Sequence, residues 1–207
     1  EEKGRGYVLS GRKTLVALGD RASHFLVTAR EGNELAAFIV PRDASGLSIG
    51  ALEKNMGLRA LPTIPLALER VEVGADAKLG GANGARVQSI LDASRVALAA
   101  VMLGTARAVL EYCIPYAKDR VAFDEAIAKK QAIAFRLADM HIECHAMRQL
   151  VWRAASLLEH GEDATRAAWQ ARSYAAEKTM WIADNGVQVL GGHGFIREHP
   201  VELWFRH

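Results

Sequence analysis

The stretch Val87-Gln88-Ser89-Ile90-Leu91-Asp92-Ala93-Ser94-Arg95-Val96-Ala97-Leu98 is where the chain changes its hydrophobic period from two to three or four. Val87, Ile90, Leu91, Leu98, Val101, Met102, Thr105 and Val109 are spaced to line one face of a long helix. Upstream, short apolar segments predict strands at Tyr7–Leu9, Thr14–Ala17, Phe25–Ala29, Ala36–Val40 and Leu66–Val73. Between them lie Ser10-Gly11, Gly19-Asp20, Glu31-Gly32-Asn33 and Pro41-Arg42-Asp43-Ala44-Ser45-Gly46, residues that tolerate the backbone angles of tight turns. The predicted fold class is therefore α+β: an antiparallel β-domain remnant over 1–80, followed by an up-and-down helical bundle over 81–207. Both are expected to be incomplete. The first strand begins almost at residue 1, although a sheet needs neighbours or a protected edge, and the last helix is still running at Arg206-His207.

Downstream of Val87, Pro115 is expected to kink the first helix or end its regular hydrogen bonding, because proline lacks the amide donor and crowds the carbonyl four residues back. A second helix is expected from about Lys130 to His160, closed by Gly161. A third starts at Asp163 as N-cap, runs through Trp169, Tyr174 and Trp181 to about Leu190, and is stopped by Gly191-Gly192. A short fourth opens with Pro200 in its first turn. With no repeats, low-complexity tract or long linker, the two parts are expected to pack directly on each other.

The 207 residues are 50% apolar, enough to bury a sizeable core. A formal net charge of +2 leaves no electrostatic footprint for nucleic acid or an anionic membrane, so any anionic ligand must be held by local groups. No uninterrupted apolar run reaches membrane-spanning length, and Glu1-Glu2-Lys3-Gly4-Arg5 resembles neither signal nor transit peptide, which makes a cytoplasmic location the expectation. Cys113 and Cys144, far apart in helical sequence without metal spacing, read as reduced and buried.

Several segments, in order, resemble the acyl-CoA dehydrogenase family: Gly6-Tyr7-Val8-Leu9-Ser10-Gly11-Arg12-Lys13, Phe38-Ile39-Val40-Pro41, Asn55-Met56-Gly57-Leu58-Arg59 and Leu79-Gly80. In the helical half they are Arg120-x-x-Phe123 with Gln131, Leu137-Ala138-Asp139-Met140, and Gln188-x-x-Gly191-Gly192-x-Gly194-Phe195 with Pro200-Val201-Glu202. The resemblance spans essentially the whole chain. It implies FAD-dependent α,β-dehydrogenation of an acyl-CoA, in which a glutamate takes the α-proton, the flavin accepts hydride and hydrogen bonds polarise the thioester carbonyl.

By the same resemblance, Arg120, Phe123 and Gln131 reach the FAD of a neighbouring subunit, the arginine at its pyrophosphate, where a guanidinium fork suits the anion. Gln188, Gly191 and Gly192 match the segment that holds the adenosine part. Asp92 and Arg95 match substrate contacts, near the CoA arm and the catalytic carboxylate respectively. Plainer readings stand beside these: a solvated arginine at a helix end, a simple helix C-cap, and an i,i+3 ion pair. The implied partners are an acyl-CoA substrate, further copies in a homodimer or homotetramer (or the other chain of a hetero-oligomer), and an electron-transfer flavoprotein as acceptor. No nucleic acid or membrane is implied.

Departures from the family pattern accompany the matches. The general base is expected beyond His207, and the alternative position some members use is Ser94, which cannot act as one. Leu15 and Ala17 replace a tryptophan and a threonine set against the flavin ring, and Asp124 replaces a glycine near the phosphates. The departures keep open a non-catalytic subunit of a hetero-oligomer. A metal-binding helical bundle is prompted only by His141-Ile142-Glu143-Cys144-His145, which lacks the paired Glu-x-x-His helices of di-iron bundles.

Overall fold

The computed structural model describes residues 2–3, 6–81 and 84–207; Glu1, Gly4 and Arg5, used above in reading the N-terminus, lie outside them. The chain forms two compact units, Glu1–Gln88 and Ser89–His207.

The first unit contains β1 (Glu2–Lys3), β2 (Gly6–Ala17), β3 (His24–Glu31), β4 (Glu34–Pro41), β5 (Leu47–Ile49) and β6 (Thr63–Gly74). One sheet has the order β1-β2-β6-β5, and β3 pairs with β4 in a second; every pairing is antiparallel. The β3–β4 hairpin closes on the two residues Gly32-Asn33, with Glu31 opposite Glu34. Alternation then turns Phe25 and Val27 inward while Leu26 faces out. Phe25, Val27, Phe38, Val40, Ile64 and Leu66 belong to one buried cluster.

Two expectations for this unit are corrected. Ser10-Gly11 is not a turn: the segments on either side of it form one strand, β2, with register shifts against β6 at Leu9/Gly11 and again at Lys13/Val16. A bulge absorbs the turn-like residues and keeps the ladder running. The three-residue strand β5 escaped notice because it is too short to display a period.

The second unit consists of α1 (Val87–Asp119), the hairpin β7 (Val121–Ala122) and β8 (Glu125–Ala126), α2 (Gln131–Glu159), α3 (Thr165–Leu190) and α4 (Val201–Arg206), with single-turn 3-10 segments at Ile127–Lys129 and Gly191–Phe195. α1 and α3 run in parallel register, shown by bonds from Thr165 to Asp92, Thr179 to the Met102 carbonyl and Tyr116 to the Leu190 carbonyl. The returning helix between them makes the order up-down-up. The N-cap of α3 is Ala164, one residue after the expected Asp163, whose Oδ1 nevertheless accepts the Thr165 amide at 3.0 Å.

α1 corrects two expectations. It continues past Pro115 to Asp119, and Pro115 and Glu111 both lie on the exposed side, where water can satisfy the carbonyl that proline leaves without a donor. Its buried residues in the bundle core are Val96, Ala99, Leu103, Ala106, Val109, Leu110, Cys113 and Ala117; of the expected face Val87 and Val109 are buried, whereas Ile90, Leu98 and Val101 are exposed. The inner stripe is rich in small residues that permit close helix approach, so the larger side chains on the outer face dominate the sequence pattern. Among the described residues α1 is also long and apolar enough to cross a membrane by length and composition, with a mean hydropathy of 1.5 over its best window. No uninterrupted run revealed this, since alanines raise the average between polar residues. Its inner stripe is nevertheless part of the bundle core with Met140, Met147, Ala171 and Ile182.

Where α3 meets α1, Gly186 makes room for side chains of α1 and α4: a Cβ there would strike Val109 Cγ1 and lie 2.9 Å from Val201 Cγ1. Both neighbours are β-branched and have little freedom to move. Gly186→Ala is expected to destabilise the fold by about 1–3 kcal/mol in chemical denaturation. The two cysteines lie in the same core, and burial pushes the Cys113 thiol up to about 12 and Cys144 to about 11. Both should therefore remain protonated and resist a thiol reagent at pH 8 in the native protein, reacting promptly only after denaturation.

Candidate functional site

α1 ends at Asp119, with the Arg120 amide still bonded to the Tyr116 carbonyl at 2.9 Å. The chain turns through the β7–β8 hairpin and returns so that the Ile127 amide reaches the Arg120 carbonyl, also at 2.9 Å. The two central residues of the hairpin, Phe123 and Asp124, have φ of 54° and 65°. A two-residue turn with both centres in the left-handed region has the twist that suits a hairpin, and Asp adopts it more readily than most side chains. Asp124 is thus explained by the turn geometry. Phe123 is 89% exposed at the tip. Lys130 sits 5.8 Å from its ring centroid and 2.6 Å from Glu125, and that bond holds the Glu125 carboxyl below its usual range.

α3 ends beside this hairpin. Gly191 leaves the helix at φ 60° and ψ −130°, a conformation that disfavours any side chain, and its amide caps the Gln188 and Val187 carbonyls. The following 3-10 turn carries Gly192, His193 and Gly194. Between the two helix ends lies a groove of about 530 Å³, lined by Tyr116, Arg120 and Ile127 on one side and by Leu190, Gly191, Gly192 and His193 on the other. A Cβ at Gly191 or Gly192 would project into open space. Among the described residues nothing hydrogen-bonds or ion-pairs with the Arg120 guanidinium.

Of the candidate residues, the structure brings Arg120, Gly191 and Gly192 together in the groove; Phe123, Gln131 and Gln188 are exposed and do not line it. Sequence reasoning missed Tyr116 and His193. Tyr116 precedes Arg120 by four residues, the helical spacing that could have flagged it. Its hydroxyl lies 2.9 Å from His193 Nδ1 and 3.4 Å from the Leu190 carbonyl, fastening the end of α3 to α1.

Asp92 is 3% exposed and lies inside the bundle, where Oδ1 pairs with Arg95 Nη1 at 2.8 Å and Oδ2 accepts the Thr165 hydroxyl at 2.9 Å. The geometry is that of an i,i+3 ion pair which also ties α1 to the start of α3. Arg95 keeps its side chain 32% exposed. The His141 and His145 rings are tilted 60° to each other with centroids 4.5 Å apart, and among the described residues no group of three or more potential metal ligands exists. In the first unit, a hollow of about 580 Å³ lined in part by Arg12, Lys13, Arg30 and Arg70 contains none of the candidate site residues. Leu15 and Ala17 are exposed.

A sheet unit followed by an up-down-up bundle, with an arginine and a glycine turn facing each other across the helix ends, defines a two-domain class of protein. The family model for the acyl-CoA dehydrogenase middle domain matches residues 1–71, and that for the acyl-CoA dehydrogenase C-terminal domain matches residues 83–207. The chain belongs to the acyl-CoA dehydrogenase family. It is 35% identical to the caffeyl-CoA reductase-Etf complex subunit CarC of Acetobacterium woodii, over 99% of this chain and 56% of that protein. The butyryl-CoA dehydrogenase structure from Megasphaera elsdenii is 33% identical, with a TM-score of 0.79 over 97% of this chain and 54% of that one. A solved FAD-dependent dehydrogenase is 28% identical, with a TM-score of 0.84 over 100% of this chain and 57% of that one. The chain thus spans about half the length of the relatives it matches.

The Asp92 arrangement can be tested directly. Asp92→Asn, which keeps an acceptor for Thr165 but removes the charge facing Arg95, is expected to cost about 1–3 kcal/mol in denaturant unfolding at pH 7. Thr165→Val is expected to cost about 1 kcal/mol. The double variant should fall short of the sum by about 0.5 kcal/mol or more, because both act on one carboxylate.

Proposed function

We propose that the chain is part of an FAD-dependent acyl-CoA dehydrogenase subunit, and that the groove at the ends of α1 and α3 takes the pyrophosphate and adenosine portion of an FAD bound mainly by a neighbouring subunit. The observation that carries this reading is the unpaired Arg120 guanidinium facing the bare Gly191-Gly192 backbone. A fixed positive charge suits a phosphodiester, and glycines without Cβ let a ligand approach the main chain closely. When bound, FAD supplies hydride-accepting chemistry for a reaction at the α,β carbons of an acyl thioester. This chain's part in that chemistry is to hold and orient. Ser94 has no acid–base group, so the reading takes the general base from a carboxylate elsewhere in the protein.

Exposed apolar side chains on the bundle, including Ile142, Trp152 and Trp169, support assembly with further copies. An electron-transfer flavoprotein partner is supported by the name of the Acetobacterium relative, a subunit of a reductase-Etf complex. Leu15 and Ala17, where the resemblance leads one to expect an aromatic ring and a hydroxyl, favour a second reading as the non-catalytic subunit of a hetero-oligomer. Acyl-CoA turnover by the purified full-length protein alone would rule out that second reading.

Arg120→Ala in the full-length protein tests the groove. FAD affinity is expected to fall about tenfold to a hundredfold, the equivalent of one charge-assisted contact, while helix content stays unchanged. Equal flavin occupancy in variant and parent would remove Arg120 from the site.

A further inference from the structure

The groove has an electrostatic difficulty. It sits at the C-terminal ends of both α1 and α3, where the last carbonyls carry partial negative charge. Anions are ordinarily drawn to the opposite end of a helix. The Leu190 carbonyl belongs to this wall, and Arg120 is the only permanently charged residue among the groove's lining side chains. A second cation would relieve the conflict, and the one lining side chain able to become a cation is His193.

The hydrogen bonds around His193 are suited to that role. The Tyr116 hydroxyl has one proton and two neighbours, the Leu190 carbonyl at 3.4 Å and His193 Nδ1 at 2.9 Å; in the tautomer where the carbonyl takes that proton, the tyrosine oxygen accepts from His193 Nδ1–H. Neutral His193 would then present a bare lone pair at Nε2, for which no partner exists among the described residues. A bare lone pair repels a phosphate oxygen, whereas a protonated Nε2 donates to it. Beside this ring, α1 contributes Tyr116 and Arg120, and the segment before α4 contributes His199 at 5.6 Å between ring centroids. His199 is held separately, its Nδ1 2.7 Å from the Tyr112 hydroxyl, and lines a different groove with Glu202 and Arg206.

Resting on the reading of this groove as the FAD pyrophosphate site, we propose that His193 is a second, proton-dependent anion contact there, so that each FAD bound takes up a proton at His193 and binds more tightly as pH falls. The sign follows from the chemistry. Imidazolium is a charged donor and binds the anion more tightly than neutral imidazole in either tautomer, so affinity rises as the pH falls. The pyrophosphate diester stays fully ionised near neutral pH and supplies no slope of its own.

The test uses the full-length protein stripped of flavin, titrated with FAD at pH 6 and pH 8 at one ionic strength. The parent is expected to bind about tenfold more tightly at pH 6, the size of one charge-assisted hydrogen bond. His193→Gln is expected to reduce that ratio below about twofold, while His199→Gln keeps it. Should His193→Gln fail to fold, calorimetry of the parent near pH 7 in two buffers of different ionisation enthalpy should still report proton uptake on binding. An undiminished slope in a folded His193→Gln variant, loss of the slope in His199→Gln, or no proton uptake by the parent would overturn the proposal. Failure of the groove reading itself looks different: FAD affinity would be insensitive to Arg120→Ala at both pH values.

Discussion

The contact of α1 side chains with α3 at Gly186 helps set the geometry of everything downstream in the second unit. With no side chain at this position, Val109 and Val201 occupy the space that a Cβ would need. Because the two helices run parallel, every contact along the crossing steps in the same direction, from Asp92 and Thr165 at one end to Tyr116 and Leu190 at the other. The last turns of both helices therefore arrive side by side. Arg120 then meets Gly191 and Gly192 although about seventy residues separate them in sequence, and the crossing alone makes them neighbours.

Parallel arrival also has a cost, since two helix C-termini at one location concentrate unsatisfied carbonyls. The chain answers this with several local devices. The Gly191 amide caps two carbonyls of α3, the Arg120 and Ile127 amides extend the bonding beyond α1, and the Tyr116 hydroxyl reaches the Leu190 carbonyl. Tyr112 and Tyr116 use two histidines of the segment after α3 in the same way, His199 and His193 respectively. The tyrosine–histidine pairs fasten this connection to α1, and that of His193 leaves an imidazole edge beside a groove whose arginine has no partner among the described residues. Closing the bundle and forming the groove are consequences of one arrangement.

The sequence showed the class of fold and the approximate ends of the helices well, because period changes and stop signals such as Gly161 and Gly191 are local. It showed less of the packing. The inner face of α1 was misread because Ala99, Ala106 and Ala117 carry little hydrophobic signal, although small size is what a close crossing requires. Ser10-Gly11 looked like a turn because the residues that break a ladder are also those that bulge it. At the site, Arg120, Gly191 and Gly192 were legible through motifs, whereas His193 needed the three-dimensional pairing with Tyr116. Asp92 illustrates the reverse: two charges three apart on a helix predicted the ion pair, and the bond to Thr165, 73 residues away, could not be read from spacing.

The departures from the family pattern acquire different meanings once backbone angles are known. Asp124 sits at φ 65° in the hairpin turn and Leu15 at φ 55° beside the second bulge of β2. Both positions make demands on the backbone as well as on the side chain, and residues other than glycine meet them with some strain. Aspartate is among the residues that tolerate this conformation best, so a glycine-to-aspartate exchange at position 124 preserves the turn and presents Phe123 as before. Leucine has no such tolerance. Its exposed, left-handed conformation at position 15 is maintained by neighbours, including Glu53, whose carboxylate accepts the Leu15 amide at 3.2 Å. The bulge is therefore over-determined by contacts outside β2. Exchanging the side chain at Leu15 changes what the exposed strand presents while leaving the Glu53 bond to its amide in place, whereas the departure at Asp124 is accounted for by the turn.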